Sequence, residues 1–168
     1  MFGHEIESPP DELDGTAVFA RLVDGLAFRY YWATEGLRPQ DFAFRPGPDS
    51  MSTQELLKHI LYLAFMIQQT VFDADAREKF RSEDATVLRE KTLETLRIVR
   101  KHLTEITDEA LAGHGVLKRD GSKFPVWNIM NGPLSDALTH VGQINAWRRL
   151  NGNATKPANV FTGTPPKV

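Results

Sequence analysis

The sequence predicts an all-α protein built as a four-helix bundle. Four segments carry apolar residues at steps of three and four, two of them follow clear helix-start signals, and no regular strand pattern competes with them. The chain has 168 residues, of which 41% are hydrophobic and 25% are charged, which is ordinary for a globular protein with one core. We therefore expect a single domain over residues 1–168, with tails at 1–14 and 153–168.

Composition excludes several classes of function. A net charge of -2 gives no strong field of either sign, so neither nucleic acid nor a membrane surface is an expected partner. Without any cysteine, a disulfide or a thiolate metal site is impossible, and a metal would need His, Asp, Glu or water. Residues 1–14 are acidic and contain no apolar stretch of signal-peptide length, and no segment is long enough to span a bilayer. We expect a cytoplasmic protein.

The first two predicted helices are separated by a proline-rich connection at 37–50. The first helix ends near Gly36, and Ser52-Thr53-Gln54-Glu55 forms a capping box that starts the second. The apolar stripes are Phe19, Leu22, Leu26, Tyr30 and Ala33 in the first helix and Leu56, Ile60, Leu63 and Ile67 in the second.

The third predicted helix begins near Asp84 and ends before Gly113, and the fourth follows Asn131-Gly132-Pro133 and ends at Gly152. Their stripes are Leu88, Leu96, Val99, Leu103 and Ile106, and Leu138, Val141, Ile144 and Trp147. Between them, an Asp-Gly pair within 116–124 has apolar flanks, which is typical of a short β-hairpin. The tail at 153–168 either packs across the bundle or stays loose.

Two helices carry side chains that can converge on one metal ion. His59 interrupts the apolar stripe of the second helix, so its ring is expected to point inward, where an imidazole needs a partner. Asp136 and His140 are one turn apart on the fourth helix, and Gln143 continues that face. Two imidazoles and one carboxylate suit zinc, nickel, iron(II) or manganese. The alternative is a hydrogen-bonded core histidine beside an aspartate favoured by the helix dipole.

The sequence resembles the DinB/YfiT superfamily. The resemblance covers most of the chain and depends on residues 51–59 (MSTQELLKH), residues 138–144 (LTHVGQI) and residues 148–152 (RRLNG). It implies an up-down-down-up four-helix bundle that commonly dimerises and holds a divalent metal through three histidines. His59 and His140 match two of these ligands, whereas Asp136 stands where the family pattern has the first histidine of His-x-x-x-His. The expected site is therefore His59, Asp136 and His140, with Gln143 behind the ligands.

Two functions follow from these expectations. The first is a metal-dependent enzyme, for which the resemblance implies a hydrolase or a transferase acting with a small-molecule thiol. The second is a non-catalytic, stress-related binding protein with a decayed metal site. Scattered Lys and Arg residues give little support to a nucleic-acid binder.

Several further polar residues are expected to be structural. Arg148 and Arg149 can bind an anion, but they lie in the last turn of a helix, where the dipole favours cations. His4, His102 and His114 have no evident partners and are expected to be solvated.

Overall fold

The computed structural model describes residues 1–9, 11, 13–73, 80–117 and 121–167. In chain order its elements are α1 (Gly15–Thr34), α2 (Pro39–Phe42), α3 (Thr53–Phe72), α4 (Ala85–Leu103), α5 (Asp108–Ala112), β1 (Gly115–Leu117), β2 (Lys123–Pro125), α6 (Trp127–Ile129), a π-helical turn (Met130–Leu134) and α7 (Ser135–Leu150). The long helices α1, α3, α4 and α7 are the four predicted from the sequence. No helix in these described ranges has both the length and the apolar character needed to cross a bilayer.

Contacts between helix ends define the topology. Lys58 near the start of α3 binds Glu83 just before α4 at 2.5 Å, so α3 and α4 run parallel. Arg89 near the start of α4 binds Glu35 after α1 at 2.5 Å, so α4 runs antiparallel to α1. Arg148 near the end of α7 donates to the Glu35 carbonyl at 2.6 Å, so α7 runs parallel to α1. The helices are therefore arranged up-down-down-up, and the connection from α3 to α4 returns along the bundle.

The core lies between the four long helices and contains most of the predicted stripes. The buried members are Phe19, Leu26, Tyr30, Ala33, Leu56, Ile60, Leu63, Ile67, Leu88, Leu96, Val99, Leu103, Val141 and Ile144. Leu22 is an exception, because 38% of it is exposed. Ile106, Leu138 and Trp147 are half-buried at the margin of the core. Helical spacing therefore predicted the inward faces well.

The predicted capping box at the start of α3 is present. The Glu55 amide donates to Ser52 Oγ at 3.2 Å, and the Ser52 amide donates to Glu55 Oε2 at 2.6 Å. These two bonds satisfy amide groups that have no partner within the helix. They fix where α3 begins, and thereby the position of every side chain along it.

The third helix is shorter than predicted, because α4 ends at Leu103 and a separate helix, α5, follows. The Thr107 hydroxyl accepts the Ala110 amide at 3.3 Å and starts α5. The Asp108 carboxylate accepts the amides of Gly15 and Thr16 at 2.9 and 2.8 Å, so it caps α1 from a distant part of the chain. The break in the helix therefore allows this segment to stabilise the start of α1.

The predicted hairpin forms as an antiparallel ribbon in which Gly115 pairs with Pro125. Asp120 of the predicted Asp-Gly turn lies outside the described residues. Asp73, at the end of α3, accepts the Gly115 amide at 3.3 Å and binds Lys123 Nζ at 2.6 Å. These contacts attach the ribbon to the end of α3.

The described parts of the two tails pack on the protein and on each other. The indole of Trp32 donates to the His4 carbonyl at 3.0 Å, and the Ile6 amide donates to the Gly163 carbonyl at 2.9 Å. Gly3 has a φ of +87°, and a Cβ atom there would lie 2.6 Å from the Ala27 carbonyl oxygen. The close approach of the N-terminal segment to α1 therefore requires glycine at this position.

Candidate metal centre

The first residue of the candidate site is His59, about two turns into α3. Its side chain is 35% exposed, so the expectation of an inward-pointing ring is only partly correct. The ring lies at the edge of the contact between α3 and α7, with one side open to solvent. This position allows His59 to meet residues of α7 and still be reached from outside.

Asp136 and His140 are positioned by an irregular start to α7. Gly132 has φ and ψ of -94° and -109°, which interrupts the helix at the π-helical turn. The Ser135 hydroxyl donates to the Met130 carbonyl at 2.5 Å and closes this turn. Asp136 consequently occupies the first turn of α7, one turn before His140. π-Helical turns occur often beside functional sites, since they change the direction of the residues that follow.

The structure brings His59, Asp136 and His140 together. His59 Nε2 lies 3.4 Å from Asp136 Oδ2, and His140 Nε2 lies 3.3 Å from Asp136 Oδ1. The two imidazole rings are nearly perpendicular, with their centroids 4.7 Å apart. One nitrogen or oxygen atom from each of the three side chains lies within 4.8 Å of the others. The predicted residues therefore form one compact group of atoms that can ligate a metal ion.

Gln143 determines which nitrogen of His140 faces this group. His140 Nδ1 lies 2.7 Å from Gln143 Oε1, an amide oxygen that only accepts hydrogen bonds. The Nδ1 atom must therefore carry the hydrogen, and in a neutral ring Nε2 then presents a lone pair to Asp136. A lone pair and a carboxylate oxygen at 3.3 Å repel each other unless a proton or a cation lies between them.

The donor set fits a divalent cation. Neutral imidazole nitrogen and carboxylate oxygen are ligands of zinc, nickel, iron(II) and manganese. Asp136 is 47% exposed and His140 is 14% exposed, so ligand atoms can be reached by solvent while His140 is largely held in place. The group can bind a metal through three side chains and leave further coordination positions for water or substrate.

Tyr62 is a neighbour of this group that the sequence did not identify. Its ring is inclined by 25° to that of His59, with the centroids 6.3 Å apart, and 57% of the residue is exposed. Its spacing from His59 could have identified it, because residues three positions apart lie on the same face of a helix. Tyr62 extends the surface next to the candidate ligands with an aromatic ring.

The remaining histidines are half-buried and have partners, so the expectation that they are solvated and without partners is only partly correct. His4 packs against two aromatic side chains of α1. The ring of His102 stacks on Phe72 with centroids 4.0 Å apart, and His114 Nδ1 donates to the Val71 carbonyl at 2.8 Å. His4 and His114 hold a tail and a loop against a helix, whereas His102 joins α4 to the end of α3. They lie outside the cluster of candidate ligands.

Arg148 has a structural role, as expected from its position in the last turn of a helix. It is 4% exposed and donates to the carbonyls of Ala33, Glu35 and Asn153 at 2.9, 2.6 and 2.9 Å. Two of these carbonyls belong to the end of α1, where they lack partners within the helix. The guanidinium group therefore joins the ends of α1 and α7, whereas Arg149 is exposed.

Comparison with known proteins identifies the fold. YfiT from Bacillus subtilis, described as a probable metal-dependent hydrolase with an unusual four-helix bundle topology, superposes with a TM-score of 0.62 at 10% sequence identity. The match covers 90% of this chain and 99% of the YfiT chain. No protein-family model and no curated protein sequence matches. The chain therefore has a DinB/YfiT-like fold, as the sequence resemblance implied, and its chemistry must be inferred from its own residues.

Proposed function

We propose that this protein is a metal-dependent enzyme, a hydrolase or a thiol-dependent transferase, in which His59, Asp136 and His140 hold a divalent metal. The observation that carries the proposal is the convergence of their ligating atoms within 4.8 Å. The fold adds support, because the similar YfiT is described as a probable metal-dependent hydrolase. A site with three protein ligands keeps a coordination position open for water or substrate, which either reaction requires.

The chain's own residues have distinct roles in this proposal. A divalent metal bound here would supply Lewis acidity, which activates water or a thiol for attack on an electrophile. Gln143 keeps the proton on His140 Nδ1, so that Nε2 remains a ligand. Asp136 contributes a negative charge, so this site would be less cationic than one with three neutral histidines. We expect the carboxylate to favour harder metals more than a third imidazole would.

The composition limits where a thiol can come from. The chain contains no cysteine, so in the transferase form of the proposal the thiol belongs to a small co-substrate. Exposure of 35% for His59 and 47% for Asp136 leaves a path by which such a molecule reaches the ligands. The hydrolase form needs only water at the same position.

The first test is elemental analysis of protein purified without an immobilised-metal column. Wild type is expected to contain about one equivalent of metal, and His59→Ala and Asp136→Asn are expected to lose it while keeping their helical circular dichroism. His102→Gln is the matched control, because His102 stacks on Phe72 outside the cluster. Metal retained by both site variants would contradict the proposed ligands.

The second candidate function is a non-catalytic binding protein, and one observation favours it. Both histidines approach Asp136 at 3.3–3.4 Å, so protonated imidazoles can hold the cluster together as ion pairs without metal. In that case wild type would contain no metal after equilibration with zinc, nickel, iron(II) and manganese. The same elemental analysis therefore separates the two functions.

A further inference from the structure

A cavity of about 330 Å³ lies between α3 and the chain that leads into α4. Its walls include Leu61, Tyr62, Phe65, Phe80, Arg81 and Leu88. The volume is at the small end of the range for small-molecule sites, about 300–1,000 Å³. The cavity is therefore suited to a compact molecule.

The wall of the cavity is mainly apolar and aromatic. The rings of Phe65 and Phe80 meet edge to face with centroids 6.5 Å apart, and both are half-buried. Leu61 and Leu88 are only 3% and 2% exposed, so they form a fixed base that belongs to the core. This surface complements an aromatic ring or a branched aliphatic group.

Charge at the rim favours an anion. Lys58 and Glu83 bind each other at 2.5 Å and largely neutralise one another. Arg81 also lines the cavity and has no ion-pair partner in the ranges that the structure describes. Arg81 is consequently a cationic group at the rim that is available for a ligand carboxylate or a similar anion.

Tyr62 joins this cavity to the candidate ligands. Tyr62 lines the cavity, and the centroid of its ring lies 6.3 Å from that of His59. We propose that the cavity holds the aromatic or branched aliphatic part of a small anionic substrate, whose reacting group lies across Tyr62 at the metal. This assignment rests on the proposed function and names the class of its substrate.

The first experiment tests the cavity alone, in metal-free protein. Titration with 3-phenylpropionate should shift the amide resonances of residues 58–65 and 80–83 in ¹H–¹⁵N spectra. Tyr62→Ala and Arg81→Gln should each weaken binding about fivefold or more, whereas exposed Trp127→Ala should not. The neutral 3-phenylpropanamide should bind wild type more weakly than the acid does. Equal binding of acid and amide, or no shifts at these residues, would overturn the proposal.

The second experiment tests the link to the metal. In protein loaded with cobalt(II), the protons of bound 3-phenylpropionate should relax faster than in the zinc form, and Tyr62→Ala should reduce this effect. Normal binding without enhanced relaxation would place the ligand away from the metal. That result would overturn the assignment of the cavity as a substrate site. Failure of cobalt and zinc to bind would refute the proposed function instead, while the metal-free titration still reports on the cavity.

Discussion

His140 and Gln143 form a 2.7 Å hydrogen bond that fixes the chemical state of the imidazole at the candidate metal centre. The residues are three positions apart on α7, so the bond depends only on the local helix. Because the amide oxygen accepts the Nδ1 hydrogen, His140 Nε2 is left to bind a cation. The role of Gln143, which is not itself a candidate ligand, can therefore be measured.

Gln143→Leu should weaken metal binding about 10–100-fold, since an outer partner that orients a ligating histidine typically contributes that much. Gln143→Glu keeps an acceptor for the Nδ1 hydrogen and should retain most of the affinity. Competition with a chromogenic chelator measures both variants, with Gln69→Leu on α3 as the control. Wild-type affinity in Gln143→Leu would show that this hydrogen bond does not support a metal site.

Asp136→His should change metal preference more than protein stability. Asp136 is 47% exposed, so the larger imidazole can be accommodated at this position. An additional nitrogen ligand favours zinc and nickel over manganese, so the ratio of zinc to manganese affinity should rise. Competition titrations with the two metals measure that ratio. An unchanged ratio would mean that residue 136 does not contact the metal.

The capping box and the shared helix face of Asp136 and His140 were predictable because their signals are local. Ser52 and Glu55 are three positions apart, and the His140 and Asp136 spacing places both on one helix face. The sequence could not show how far His59 projects into solvent, because this depends on how α3 packs against α7. Helix periodicity likewise placed Leu22 on the core face, but the packing of its neighbours leaves it exposed.

Other features depend on contacts between distant parts of the chain. Arg148 meets the Ala33 carbonyl across 115 positions, and Asp108 meets Gly15 across 93. No spacing rule connects such pairs until the topology is known. The break between α4 and α5 was missed for the same reason, since Asp108 is needed at the start of α1.

A homodimer and a cytoplasmic location stay predictions.

Arg148→Met should destabilise the fold by about 3 kcal/mol, because it leaves buried carbonyls of α1 without a donor. Arg149→Met is the matched control, and as an exposed neighbour it should change stability by no more than about 0.5 kcal/mol. Urea unfolding followed by circular dichroism measures both. Metal content should remain at the wild-type level in folded Arg148→Met. A stable Arg148→Met variant that has lost its metal would instead assign this arginine to the functional site.

Stability should fall at low pH partly through Asp41, which is 1% exposed. Burial raises the pKa of this carboxyl, but hydrogen bonds from Arg38, Asn153 and Asn151 outweigh that effect and hold the pKa well below the usual 3.8. The unfolded chain therefore takes up a proton near pH 4 that the folded protein does not. The contribution of Asp41 is complete above about pH 5 and declines as the pH falls through 4.

Comparison of Asp41→Asn with wild type isolates this contribution. The variant should be less stable by about 2 kcal/mol at pH 6, because it loses charged hydrogen bonds with Arg38, Asn151 and Asn153. The difference should narrow by pH 3, since wild type loses the same stabilisation as the pH falls. Free energies of unfolding in urea across this range provide the measurement, and Asp49→Asn on the exposed part of the connection should follow wild type. A difference that stays constant from pH 6 to pH 3 would show that Asp41 does not stabilise the fold through its charge.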